Sequence, residues 1–164
     1  MSYLLNIETS TKNCSVSLSF ENNLIDYVEQ DSLNYSHSEH LHVFINELLN
    51  NNNIKFNQLN AVSVSRGPGS YTGLRIGLSA AKGLCYGLDI PLISISSLKI
   101  LANSIKFDGY IISTIDARRN EVYSCIYNSS LEIVRKEKPE IINHESFIDI
   151  SKENKLLIVG DGQS

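Results

Sequence analysis

Apolar and polar residues alternate through CSVSLSF, setting Cys14, Val16, Leu18 and Phe20 on one side of an extended chain and Ser15, Ser17 and Ser19 on the other. The preceding YLLNIE has the apolar density of a buried strand, and TSTKN between the two reads as a turn. Residues 24–30 supply a third strand. The period then changes. SHSEHLHVFINELLNN begins with a capping pair, Ser36 and Glu39, and repeats Leu41, Phe44, Ile45, Leu48 and Leu49 at helical spacing until the asparagine run, which predicts a helix over 37–50. LNAVSVS reads as a strand, RGPGS as a loop, 71–86 as a second helix, and PLISISS as a strand entered through Pro91. Leu98, Leu101, Ala102 and Ile105 mark a third helix over 97–105. This order is that of a mixed sheet flanked by helices, an RNase-H-like α/β unit.

After Lys106 the pattern restarts: GYIISTIDARRNEVYSCIYN is again an apolar strand, a tight turn led by an acid, and an alternating strand. Setting Glu8 against Asp116 aligns Cys14, Val16 and Leu18 with Val122, Ser124 and Ile126. LEIVRKEKPEI adds a strand, HESFIDIS a short helix and KLLIVGDG a buried strand. The expectation is two similar lobes, residues 1–106 and a shorter second one over 107–164.

Composition narrows the partners. The 164 residues are 42% hydrophobic, enough for a core, and carry a formal net charge of −4 with scattered basic residues, so the chain has no electrostatic footprint for gripping nucleic acid by itself. No apolar run approaches the roughly 18 residues that span a bilayer, and the N-terminus lacks a signal pattern; a cytoplasmic protein without membrane contact is expected. Cys14, Cys85 and Cys125 sit far apart within apolar patterns, which suits buried thiols in a reducing compartment.

Four features invite a functional reading. Glu8 and Asp116 each close a strand, where a carboxylate either holds magnesium through water or caps the following turn by accepting N–H bonds. His37, His40 and His42 lack the i, i+4 spacing of helical metal ligands, and no acid or cysteine cluster completes a set, so no metal site is expected. The loop SRGPGS fails two phosphate motifs: the residue at the Walker spacing from Gly67 is Thr72, and Gly67, Gly69 and Gly73 give GxGxxxG rather than GxGxxG. Amides near Gly67 and Gly69 at the helix start remain a candidate anion site with Glu8 and Asp116. Finally, Gly69, Gly73, Gly77, Ala81 and Cys85 stand four apart, a ridge of small residues that forms a groove along the helix. Gly73, Gly77 and Gly83 together sacrifice roughly 3 kcal/mol of helix propensity. The groove fits either the chain's own sheet or another helix.

The runs IETSTKNCSVSL, HSEHL, SRGPGSYTGLRIGLSAAKGL and DARRNEVY, in this order and spacing, resemble the TsaB (YeaZ) family, the non-catalytic paralogue of the threonylcarbamoyl transferase TsaD. The resemblance covers essentially the whole chain, and RGPGSYTGLRIG is its most specific part. It implies an actin-like (ASKHA) fold of two RNase-H-like lobes and a non-enzymatic role in making the threonylcarbamoyladenosine of tRNA. In the family TsaC makes threonylcarbamoyl-adenylate, TsaD transfers its threonylcarbamoyl group to tRNA, and TsaB binds TsaD and helps recruit the ATPase TsaE. The implied partners are therefore a TsaD-like transferase and a TsaE-like ATPase, with a homodimer as a further pairing and tRNA reached indirectly. ATP and metal would be handled by the partner subunits, with no cofactor in this chain. TsaB pairs through its first two helices, which maps an interface onto His37, Leu41, Phe44, Ile45, Leu48, Gly69, Gly73, Gly77 and Ala81. TsaD-like enzymes carry HxxxH on the first helix, a spacing these histidines lack. The alternative from another class is an actin-like nucleotide-binding enzyme using Glu8, Gly67, Gly69 and Asp116. An older assignment of the wider family, metallopeptidase, has the histidine spacing against it.

Overall fold

The computed structural model describes residues 2–31, 37–143, 146–152 and 154–162. Two compact units divide the chain, Met1–Ile95 and Ser96–Ser164.

In the first unit, strands β1 (Tyr3–Glu8), β2 (Asn13–Phe20) and β3 (Asn23–Asp31) form an antiparallel meander. Helix α1 (His37–Asn51) and a 3-10 turn (Phe56–Gln58) lead to β4 (Leu59–Ser65), which lies parallel to β1. Helix α2 (Tyr71–Leu88) then crosses over to β5 (Leu92–Ile95), parallel to β4, giving the sheet order β3-β2-β1-β4-β5. Alternation decides which faces are buried. Cys14, Val16 and Leu18 of β2 join Leu5 and Ile7 of β1 and Val62 and Val64 of β4 beneath Leu41, Ile45, Leu48 and Leu49 of α1 and Ala81 and Cys85 of α2. Ser70 caps α2, its hydroxyl accepting from the Gly73 N–H, and Asp89 ends the helix in the left-handed conformation. The expected capping partner of α1, Ser36, lies outside the described residues.

β3 is an edge strand that leaves Leu24, Ile25 and Tyr27 exposed. At its middle the Asp26 carboxylate accepts the Tyr27 N–H at 2.8 Å and the Asn52 side-chain amide at 2.8 Å.

The second unit contains α3 (Ser97–Asn103), β6 (Tyr110–Arg118), β7 (Glu121–Tyr127), β8 (Ile133–Glu140), α4 (Ile148–Ser151) and β9 (Leu156–Gly160). Its sheet, β8-β7-β6-β9, repeats β3-β2-β1-β4: an antiparallel meander with a parallel strand beside its first member. The repeat in the sequence is thus a repeat in topology. Among the described residues this second sheet has no counterpart of β5. The boundary between units differs from the expected one after Lys106. Leu98 and Ala102 of α3 are buried with Ile111, Ile115, Tyr127 and Val159 of the second unit. Helical periodicity reveals that one face of α3 is apolar and leaves open which sheet receives it.

β8 is held to β7 by a polar cluster as well as by its ladder. The Ser124 hydroxyl donates to Glu140, Arg135 pairs with Glu140 and also donates to Ser124 Oγ at 2.7 Å, and Lys138 Nζ lies 2.9 Å from Glu140 Oε2. The Arg135 guanidinium lies 4.9 Å from the centre of the Phe147 ring. Burial pushes the Glu140 carboxyl upward, but Ser124, Lys138 and Arg135 outweigh it and hold the group below its ordinary value. A depressed carboxyl stabilises the fold above its unfolded-state value and loses that contribution as pH falls through the folded-state value. Glu140→Gln is therefore expected to lower stability at neutral pH by about 1 kcal/mol or less. Urea titrations from pH 7 down to pH 3 should show the difference between variant and wild type shrinking as the medium turns acidic.

Candidate functional site

The turn between β1 and β2 is buried in its first half, with Thr9 at 0% and Ser10 at 3% exposure, and its backbone groups are met from three sides. Glu8 Oε1 accepts the Ser10 N–H at 2.6 Å and the Ser65 hydroxyl at 2.8 Å. The Ser10 carbonyl accepts the Ser70 N–H at 2.6 Å. His37 Nε2 lies 2.9 Å from the Thr11 carbonyl oxygen, a contact that requires the proton on Nε2. The corresponding turn of the second unit uses the same device: Asp116 Oδ1 accepts the Arg118 N–H at 2.7 Å, while the Asp116 N–H donates to Asp161. Both acids act as turn caps, the second of the two roles open to them from sequence. Of the candidate anion set, Glu8 and Gly69 meet at Ser10 within the first unit, Gly67 forms the adjoining bend, and Asp116 belongs to the second unit.

The small-residue ridge of α2 lies against this turn. A Cβ on Gly69 would fall on the Ser10 carbonyl oxygen, one on Gly73 on the Thr9 carbonyl oxygen, and one on Gly77 on Thr9 Oγ1. Gly67 and Gly69 also hold positive φ angles, 96° and 155°. Ala81 is fully buried. The expected interface on α1 is equally internal: His37, Leu41, Phe44, Ile45 and Leu48 are all buried in the first unit. Gly69 apart, the residues expected to meet a partner are thus buried within the first unit. A row of small side chains lets some backbone approach closely, and here that backbone is the chain's own.

The surface left open lies on the outward faces of the two helices. Between them runs a groove of about 670 Å³, with Ile76, Ala80 and Leu84 as its apolar lining and Ser38, His42, Thr72, Arg75 and Ser79 as its polar one. The Arg75 guanidinium sits 5.3 Å from the centre of the exposed Tyr71 ring. Gly83 also lines the groove, and a Cβ there would meet nothing within 4 Å. Sequence reasoning missed this face. Its signal was present in Gly83, a helix glycine that falls outside the row of Gly69, Gly73 and Gly77.

The three histidines do not converge. His37 serves the turn, His40 stacks on Phe44 at 5.5 Å, and His42 lines the groove. Among the described residues no three His, Cys, Asp or Glu side chains come together as metal ligands. The cysteines are buried thiols; burial pushes Cys14 up to about 11 and also raises Cys85 and Cys125. Among the described residues no helix is long and apolar enough to cross a membrane.

Comparison with known proteins bears on this arrangement. The family model of TsaD, tRNA N6-adenosine threonylcarbamoyltransferase, matches residues 32–162. The tRNA threonylcarbamoyladenosine biosynthesis protein TsaB of Haemophilus influenzae is 39% identical over 126 residues, 73% of this chain and 51% of that protein. TsaB of Escherichia coli is 31% identical over 169 residues, 97% of this chain and 71% of that protein. The chain belongs to the TsaB (YeaZ) family. The solved structure of YeaZ from Pseudomonas aeruginosa matches at 30% identity and a TM-score of 0.76, over 85% of this chain and 66% of that one. The two mixed sheets of this TsaB-family chain are those of an actin-like fold. The chain spans about half to three quarters of the length of these TsaB relatives.

Two glycines of α2 should respond to substitution with opposite signs. Gly73→Ala drives a methyl into the Thr9 carbonyl and should destabilise by about 1–3 kcal/mol. Gly83→Ala fills open space in a helix interior and should stabilise by roughly 0.5–1 kcal/mol. Urea denaturation followed by circular dichroism measures both.

Proposed function

We propose that the chain is a non-catalytic scaffold in the formation of threonylcarbamoyladenosine on tRNA, pairing with a TsaD-like transferase through the outward faces of α1 and α2. Membership of the TsaB family carries the reading. The geometry supports it because the two helices that offer an open groove are fixed to one turn, α2 through Ser70 and its glycines and α1 through His37. A face fixed in this way loses little conformational freedom on docking. The acidic balance of the chain, −4, suits a subunit that reaches tRNA through its partner. ATP and metal chemistry then belong to the transferase and to a TsaE-like ATPase that this chain helps recruit, and a homodimer is a further pairing open to the chain.

The test is reconstitution. Purified transferase is given tRNA and threonylcarbamoyl-adenylate with increasing amounts of this chain, and modified tRNA is quantified by mass spectrometry of nucleosides. Modification should rise with added chain and level off near equimolar amounts, while the chain alone modifies nothing. Modification independent of the chain would sink the reading, as would turnover of magnesium-ATP by the chain alone, which belongs to the nucleotide-binding enzyme.

A further inference from the structure

We infer that the tip of the β6–β7 hairpin lays Arg118 and Arg119 on the phosphodiester backbone of the tRNA that the transferase holds. The inference rests on the proposed role in tRNA modification and adds to it a contact of this chain's own.

The turn chemistry comes first. Arg118 and Glu121 stand opposite each other in the ladder, so Arg119 and Asn120 form a two-residue loop. Both have positive φ, 57° and 65°, the sign pattern of a type I′ turn, which Asn-Gly and Asp-Gly serve best. Arg118, at φ 69°, is a third consecutive residue in the left-handed region. A Cβ is penalised there, and arginine lacks the short polar group with which asparagine bonds its own backbone. The hairpin would therefore close more easily without either arginine. Strain kept at an exposed turn points to a use for the side chains.

Within the chain those side chains are unclaimed. Every residue from Arg118 to Glu121 is exposed, whereas the matching turn of the first unit is buried at Thr9 and Ser10. Neither guanidinium has an ion pair or a ring contact among the described residues. Asp116 accepts the Arg118 N–H and Asp161 accepts the Asp116 N–H, so these two carboxylates are tied to the backbone of the turn. Glu121 lies opposite Arg118 in register and makes no ion pair with it.

The form of the ligand follows from the pair. One carboxylate occupies the donor fork of one guanidinium and leaves its neighbour unmet. A polyanion with a charge on every residue meets both, and in a reaction on tRNA that polyanion is the phosphodiester backbone. Two such contacts on a chain of net charge −4 do not grip RNA unaided; they fix the register of RNA that is bound elsewhere.

The experiment uses the full chain with the purified transferase of the same organism. It measures tRNA affinity by fluorescence anisotropy over a series of salt concentrations, together with kcat and KM for tRNA in the modification reaction. Replacing both arginines, Arg118→Asn with Arg119→Asn, should raise KM for tRNA about tenfold at low salt and leave kcat unchanged. The plot of log affinity against log salt should become shallower by roughly 0.7–0.9 for each arginine removed. The melting temperature of the free chain should stay level or rise, since asparagine suits positive φ better than arginine. Arg118→Lys with Arg119→Lys should keep most of the affinity, and Lys55→Gln, at an exposed position of the first unit, should change little. Unchanged tRNA affinity and salt slope in the asparagine variant, with modification still stimulated by the wild-type chain, would overturn the inference and leave the scaffold reading standing. Weaker binding of that variant to the transferase in the absence of tRNA would also overturn it, making a protein carboxylate the ligand. Loss of magnesium-ATP binding by the assembled complex, with tRNA affinity intact, would overturn it in favour of a nucleotide phosphate. A wild type that fails to stimulate modification removes both readings.

Discussion

Everything in the first unit depends on how closely α2 approaches the turn between β1 and β2. The Thr9 and Ser10 backbone occupies the space that side chains at positions 69, 73 and 77 would need, so three glycines fix where the helix lies. Ser70 then satisfies the Ser10 carbonyl, Glu8 satisfies the Ser10 amide, and His37 brings α1 to the same turn. A buried turn would otherwise leave costly unpaired backbone groups. The turn is therefore a junction, and the relative position of the two helices follows from it.

The succession of strands along the chain, the two principal helices and the repeat were legible in the sequence because each has its own period. Alternation marks β2, a heptad-like apolar stripe marks α1, and the acid-led turns at Glu8 and Asp116 announce matching hairpins. Less legible was what each face meets. The apolar face of α3 could serve either unit, and it packs with Ile111, Ile115, Tyr127 and Val159 of the second. The glycine ridge looks the same from sequence whether its neighbour is Thr9 or a foreign helix. Gly83 sits in the same helix as Gly73 and Gly77, and helical spacing does not distinguish it, because openness is a property of what lies opposite.

The repeated hairpins also clarify the acids. A carboxylate that performs the same capping bond in both units has a sufficient explanation in folding, since each holds the N–H two residues further along. Nucleotide chemistry at Glu8 would have to compete with the Ser10 amide and the Ser65 hydroxyl for the same oxygen.

The edge strand β3 bears on how the chain associates at all. An exposed row of Leu24, Ile25 and Tyr27 beside free backbone groups is the kind of border along which unrelated chains can stack. Asp26 occupies the Tyr27 amide with its own carboxylate and ties itself back to Asn52, so the middle of that border carries a charge and lacks a ready donor. Recruitment by strand exchange is thereby discouraged, and selective assembly is left to surfaces that discriminate by shape and charge.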